Sequence, residues 1–305
     1  MVFGNATSPV LTHHHVPALR RLPLPTRLPR LLPELALLIA VNAIYKYGRR
    51  VANGQTGAAF RHADRVWSFE RGLHVPSERS LQRLMLHSET VIHIANYLYA
   101  TVHFPAMVIF LGYMFVRHRA HYLWIRRAIV IQTMLALVGH IFFPLAPPRF
   151  LPGAGMVDTA AVYGPAVYGK PDGDSMANQF AAMPSLHVGW ALAIAVGLIA
   201  AGRSRWRWLW LLHPLITMAV VVGTANHYWS DCVVGCLLLA LAVAVIPGPD
   251  PDGAVAPDTH WAWPLRRTRH HPAAASGVAE AAAAEAAAKT PAHARAGSAR
   301  GPDAA

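Results

Sequence analysis

Four residues have the types and spacing that chemistry on a phosphate ester needs. His227 and Asp231 stand four apart in the run Asn226-His227-Tyr228-Trp229-Ser230-Asp231. On a helix that spacing puts both side chains on one face. A carboxylate there accepts a hydrogen bond from one imidazole nitrogen, fixes the tautomer and leaves the other nitrogen as a better nucleophile or base. Asp231 equally suits the N-cap of a helix. His187 closes the run Ala181-Ala182-Met183-Pro184-Ser185-Leu186-His187. Pro and Ser suit the first positions of a helix, whose free N–H groups attract phosphate. Ser185 is therefore a candidate phosphate-binding residue as well as a cap. His187, just inside, has the chemistry of a general acid toward a leaving group. Arg149 follows Pro147-Pro148 and offers a planar cation able to hold phosphate oxygens in bidentate fashion. An Arg at an interface that simply reaches toward water is the plainer reading of Arg149.

The elements that must position these residues are apolar. Of 305 residues, 54% are hydrophobic and 14% charged, and the mean hydropathy is +0.31. That pattern predicts an all-α, polytopic membrane helix bundle with about six transmembrane helices. The spans are expected at about 31–45, 90–116, 128–145, 187–201, 208–224 and 231–246. Residues 46–88 mix Arg and Glu with Trp67, Phe69, Leu73, Leu81, Leu84 and Leu86, the pattern of amphipathic helices at the interface, broken at Gly72 and Pro76. The domains read as a disordered cytoplasmic N-terminus (1–30), a first transmembrane helix with interfacial helices (31–89), a catalytic membrane bundle (90–246) and a disordered Ala/Pro-rich tail (247–305). The tail has one short helical stretch at Val278–Lys289. No cleavable signal and no internal repeat is evident.

The net charge of +12 raises nucleic acid as a partner. The arginines, however, cluster at the ends of apolar segments, and no basic reading helix is present, which favours membrane orientation over nucleic acid. With six spans, the groups before the first span, between the second and third, between the fourth and fifth, and after the sixth share one face. The positive-inside rule makes it cytoplasmic and places 149, 184–187 and 227–231 outside the cytoplasm of a plasma membrane. The arginines of 46–88 run against that assignment. Cys232 and Cys236, four apart, suit packing on a helix face rather than a disulfide or metal. His13-His14-His15 suits a flexible polar tract.

Ala181–Trp190 and Thr224–Gly235 resemble the second and third signature motifs of the type 2 phosphatidic acid phosphatase superfamily, with Pro147-Pro148-Arg149 in the place of the first. The Pro-Ser-Leu-His and His-Tyr-x-x-Asp forms are similar to its inositolphosphotransferase branch, which includes inositol phosphorylceramide synthase. The resemblance implies His227 as nucleophile or base and Asp231 as its orienting partner. It implies His187 as the acid, and Arg149 with the Ser185 region as phosphate ligands, with neither metal nor other cofactor. The substrate it implies is a membrane lipid phosphate or phosphodiester, with water or a hydroxyl as acceptor. It leaves the oligomeric state open. Two departures stand out: Phe142 occupies the position of the family's first-motif Lys, and Val220-Val221 that of the Ser-Arg before the third motif. The site therefore carries fewer cations than a typical lipid phosphatase, unless Lys170 in the loop substitutes. The competing class is a transporter or non-catalytic lipid-binding protein, suggested by His93, His103 and His140 inside apolar segments. A metal-binding protein built on the 18 His is a third reading.

Overall fold

In the computed structural model, residues 28–51, 55–165 and 180–249 are described. His13–His15, Lys170, the stretch Val278–Lys289 and most of both expected tails lie outside them. The described chain is helical. Helix α1 is Leu28–Val51, α2 Thr56–Gly72, α3 Glu78–Leu86 and α4 Glu89–Tyr97. A π-helical turn, Leu98–Val102, joins α4 to α5, His103–Arg117. Helix α6 is Arg119–Phe142 and the short α7 is Thr159–Tyr163. Helix α8 is Leu186–Ala201. A 3-10 stretch, Arg205–Leu211, leads into α9, Leu212–Gly223, and α10 is Trp229–Val245. Among the described residues there is no strand, only an isolated bridge between Leu145 and Ala181.

Four segments are long and apolar enough to cross a membrane: Leu31–Arg49, Glu89–Arg117, Arg119–Phe142 and Arg205–Gly223. The helices Leu186–Ala201 and Trp229–Val245 are equally apolar but shorter. Helix α8 sits inside the bundle, packed against α5, α6, α9 and α10, whereas α10 keeps one apolar face outward. Phe110, Met114, Ile125, Ile194 and Leu239 form the buried centre. The outward faces are also apolar: Leu32, Ile39, Phe104, Val108, Ile109, Phe142, Ile216, Leu237 and Leu241 are exposed. Such a surface matches a lipid surround and not water. Trp206, Trp208 and Trp210 alternate with Arg205, Arg207 and Leu209 at one end of the 3-10 stretch and are exposed, the composition of a membrane–water boundary. This is a membrane protein.

The third span starts nine residues before the expected 128, because the charges of its first turns are matched. Glu34, buried in α1, receives hydrogen bonds from Arg119 (3.2 Å), Tyr122 (3.1 Å) and Arg126. Pairing removes the cost of burying each charge alone. Tyr45 meets His140 further along, so α1 and α6 run parallel. Helix α8 runs against α6, with Trp190 donating to Thr133 at 3.1 Å and His140 beside the Pro184 carbonyl at 3.2 Å. Hence the C-terminal ends of α1 and α6 share one end of the bundle with the start of α8.

The starts of α8 and α10 are locked together. Ser185 N–H donates to the Asp231 carbonyl at 3.0 Å, and Gln132 donates to the Gly235 carbonyl at 3.0 Å. A Cβ on Gly235 would stand 2.3 Å from the Ser185 oxygen, so the contact requires glycine, as close membrane helix crossings do. Gly235→Val is expected to overpack this crossing by about 1–3 kcal/mol, lowering the thermal midpoint in detergent and abolishing activity. An unchanged midpoint would contradict this role.

Candidate active site

Three short segments converge at the end of the bundle where α8 and α10 begin. After α6, Leu145 N–H donates to the Phe180 carbonyl and Ala182 N–H to that of Leu145 (2.9 and 3.2 Å), tying the segment before α8 to the segment after α6. A 3-10 turn at Pro148–Phe150 follows, and Arg149 N–H donates to the Ala225 carbonyl at 3.1 Å. Ala225 has φ +56°, and the N–H groups of Asn226 and His227 both donate to the Val221 carbonyl at 3.0 and 3.1 Å. This tight turn, left-handed at a non-glycine residue, is the kind of local strain found where side chains must be aimed.

It aims His227. The Nδ1–H lies 2.9 Å from the Ala182 carbonyl and 3.3 Å from Asp231 Oδ2. Nε2 is therefore the nitrogen with a free lone pair. Burial, with the nearby Arg149 charge, lowers the imidazole well below its usual range, against the raising effect of the Ala182 carbonyl. The ring is thus neutral at physiological pH, as a nucleophile must be. Asp231 is fully buried and its Oδ2 also accepts from Tyr228 N–H at 3.0 Å. Asp231 is not the N-cap that its type suggested: Tyr228 is the cap, and the Asp231 carboxylate, three residues on, closes a capping box with Tyr228 N–H while facing His227 Nδ1.

His187, the second residue of α8, brings its ring centroid to 5.9 Å from that of His227. Tyr99 stacks on it at 4.6 Å, and His103 lies at 4.4 Å. Arg149 donates to Asn226 Oδ1, sits 3.5 Å from Asp158 and lies over the Phe150 ring. These groups face a cavity of about 250 Å³ that His103, His140, His187, His227, Arg149 and Arg49 all line, and among the described residues no carboxylate lines it. Pro184 and Leu186 line it as well, whereas Ser185 does not. Ser185 is fully buried, with Oγ 3.5 Å from Val188 N–H as the cap of α8. An apolar pocket of about 340 Å³ shares Tyr99, His103 and His187 with the cavity and runs on between Leu98, Val102, Leu212 and Ile216.

The polar residues of the second span divide. Asn96 donates to the Thr159 and Gly164 carbonyls (both 2.9 Å) and anchors α7, and His93 meets the Tyr163 ring edge-on. His103 instead reaches the cavity. Arg49, His103 and His140 are among the cavity residues that lie outside the three motifs. Phe142, in the position of the absent Lys, is 79% exposed on the outer face and does not meet the cavity. Cys232 and Cys236 are free thiols, and no cluster of metal-ligating side chains occurs among the described residues.

Helices α2 and α3 brace the start of α10 from behind. One oxygen of Glu70 accepts from both Ser230 N–H and Ser230 Oγ at 2.6 Å, and Trp229 Nε1 donates to the Pro76 carbonyl at 2.8 Å. Glu78 is also fully buried, paired with Arg71 at 3.1 Å. Burial and the shared hydrogen bond with Glu70 raise the Glu78 carboxyl from the ordinary 4.5 to about 8. The folded state thus holds a proton that the unfolded chain has released, and stability is lost as pH rises from about 4.5 through about 8. The thermal midpoint in detergent should fall across that window, and Glu78→Gln, neutral at every pH, should flatten the fall. An unaltered slope in Glu78→Gln would contradict the shared proton.

A family model described as the PAP2 superfamily matches residues 64–245. No curated protein and no solved structure matches the chain.

Proposed function

The chain belongs to the PAP2 superfamily and has phosphatase- or phosphotransferase-type activity in general; on that premise we propose that it acts on a membrane lipid phosphate or phosphodiester through His187, His227 and Asp231. The observation that carries this reading is the setting of His227. Its Nδ1 is engaged by Ala182 and Asp231, and its ring faces His187 and Arg149 across the cavity.

The chemistry follows from those positions. Arg149 and the start of α8 hold the phosphate oxygens. His227 Nε2 attacks phosphorus as the ester P–O bond breaks, and a P–N bond forms. The leaving oxygen takes a proton from His187. Asp231 stabilises the positive charge that develops on the His227 ring. Water or a hydroxyl acceptor then gives its proton to His187 and attacks phosphorus, releasing His227. Water yields hydrolysis, and an alcohol yields transfer, as the inositolphosphotransferase-like motifs suggest. Among the described residues nothing in this sequence of steps requires a metal. The apolar pocket beside His187 suits the lipid tail, with the head group in the polar cavity.

An extracytoplasmic site in a plasma membrane, with cytoplasmic termini, is supported by the arginines. Those at 117–127 and 203–207 lie at the bundle end opposite the cavity. Of the arginines between 46 and 88, Arg49 lines the cavity and Arg71 pairs with Glu78, which eases their conflict with the positive-inside rule. A transporter gains no separate support from the intramembrane histidines, because His103 and His140 line the same cavity.

Purified protein in mixed micelles with a chelator is expected to release phosphate from phosphatidic acid, or to move the head group of a phosphodiester lipid to an alcohol. His227→Ala should abolish both. His187→Ala should lose about 10²–10⁴-fold with an alkyl ester but far less with a nitrophenyl ester, whose leaving group needs no proton. Full activity in His227→Ala would overturn the mechanism.

A further inference from the structure

Helix α1 lies outside the segment 64–245 that carries the family match, yet it reaches the cavity. Its residues Tyr45 and Arg49 line the same 250 Å³ space as Arg149, His187 and His227. We infer that Arg49 is a second cation for the substrate phosphate, and that α1 is therefore part of the active site and not only a membrane anchor. The inference rests on the phosphoryl-transfer reading above and deepens it.

Several features place the Arg49 side chain there. Tyr45 and Arg49 are four apart on α1 and so share a face. The Arg49 guanidinium lies over the Tyr45 ring, 5.7 Å from its centroid, within range of a cation–π attraction. The Tyr45 hydroxyl is 3.4 Å from His140 Nδ1, and the other ring nitrogen of His140 is 3.2 Å from the Pro184 carbonyl. A chain of contacts thus runs from α1 through α6 to the start of α8. The helices approach closely at the same level: a Cβ on Gly48 would stand 2.8 Å from a Leu137 methyl. Gly48 lets α1 sit near enough for Arg49 to enter the cavity.

The charge balance calls for such a group. A phosphate ester brings one or two negative charges. Arg149 supplies one positive charge, part of it matched by Asp158 at 3.5 Å. The last residue of α6, where a Lys would stand, is Phe142, which faces outward. A guanidinium held against phosphate by charge-assisted hydrogen bonds strengthens binding substantially.

The test uses the full chain in detergent, with orthovanadate and inorganic phosphate as probes and thermal unfolding as a control. Arg49→Gln is expected to weaken vanadate inhibition, and the thermal stabilisation given by phosphate, by about tenfold or more in concentration. It should also raise KM for the lipid phosphate. Arg49→Lys, which keeps the charge, should recover part of each. Wild-type affinity for both anions in Arg49→Gln would overturn the inference, as would loss of unfolding temperature with anion affinity intact. Phosphate binding reads out without turnover. An inactive wild type that still binds phosphate through Arg49 would thus defeat the reaction proposed above and leave the anion site standing.

Discussion

The arrangement depends on how the start of α10 is held. Asp231 is fully buried there, and its carbonyl and Oδ2 each hold a neighbouring segment. Its carbonyl receives Ser185 N–H from the start of α8, and its carboxylate receives Tyr228 N–H and faces His227 Nδ1. A buried carboxylate is costly unless satisfied; Oδ2 has two partners, whereas Oδ1 is buried with none among the described residues. The turn at Ala225, the Ser185 cap and the Gly235 crossing each follow from placing that group at the junction of two helices. Once it is in place, His227 has one orientation, and Nε2 is the nitrogen left for chemistry.

The same end of the molecule separates two environments. On the cavity side, among the described residues, are histidines and arginines and no carboxylate. On the far side of the α10 start, Glu70 and Glu78 sit fully buried, holding Ser230 and Arg71. A cationic pocket in a low-dielectric surround concentrates an anionic head group, while the acidic pair stays behind the helix. The apolar pocket continuing past Tyr99 and His103 extends the cavity toward the lipid-facing helices. A substrate with one charged and one apolar end would span both.

Much of this was legible in the sequence because the chemistry is local. His227 and Asp231 are four residues apart, and Pro184 to His187 form one helix start, so short motifs expose them. The helical membrane fold was legible for a similar reason, since long apolar runs admit few alternatives. Properties that arise across long separations were hidden. Arg49 reaches the cavity that His140 and Arg149 line only after α1 packs along α6, so a sequence window shows just an arginine at the end of a helix. The early start of α6 was masked by Arg119 and Arg126, whose partner Glu34 lies 85 and 92 residues away. His103 looked like any polar residue in a span, and only its contact with His187 across two helices distinguishes it from Asn96, which anchors α7. Ser185 shows the converse: its residue type suited both phosphate and cap, and packing against the α10 start turned its hydroxyl inward.

The central claim is that His227 Nε2 forms a bond to phosphorus. Rapid acid-free quenching of the protein with a lipid phosphate, followed by phosphorus NMR and peptide mass spectrometry, reads this directly. The account predicts an acid-labile phosphohistidine at residue 227, on Nε2, because Nδ1 is held by the Ala182 carbonyl and Asp231. A phosphoryl group on Nδ1, on His187 or on any other residue during active turnover would contradict it.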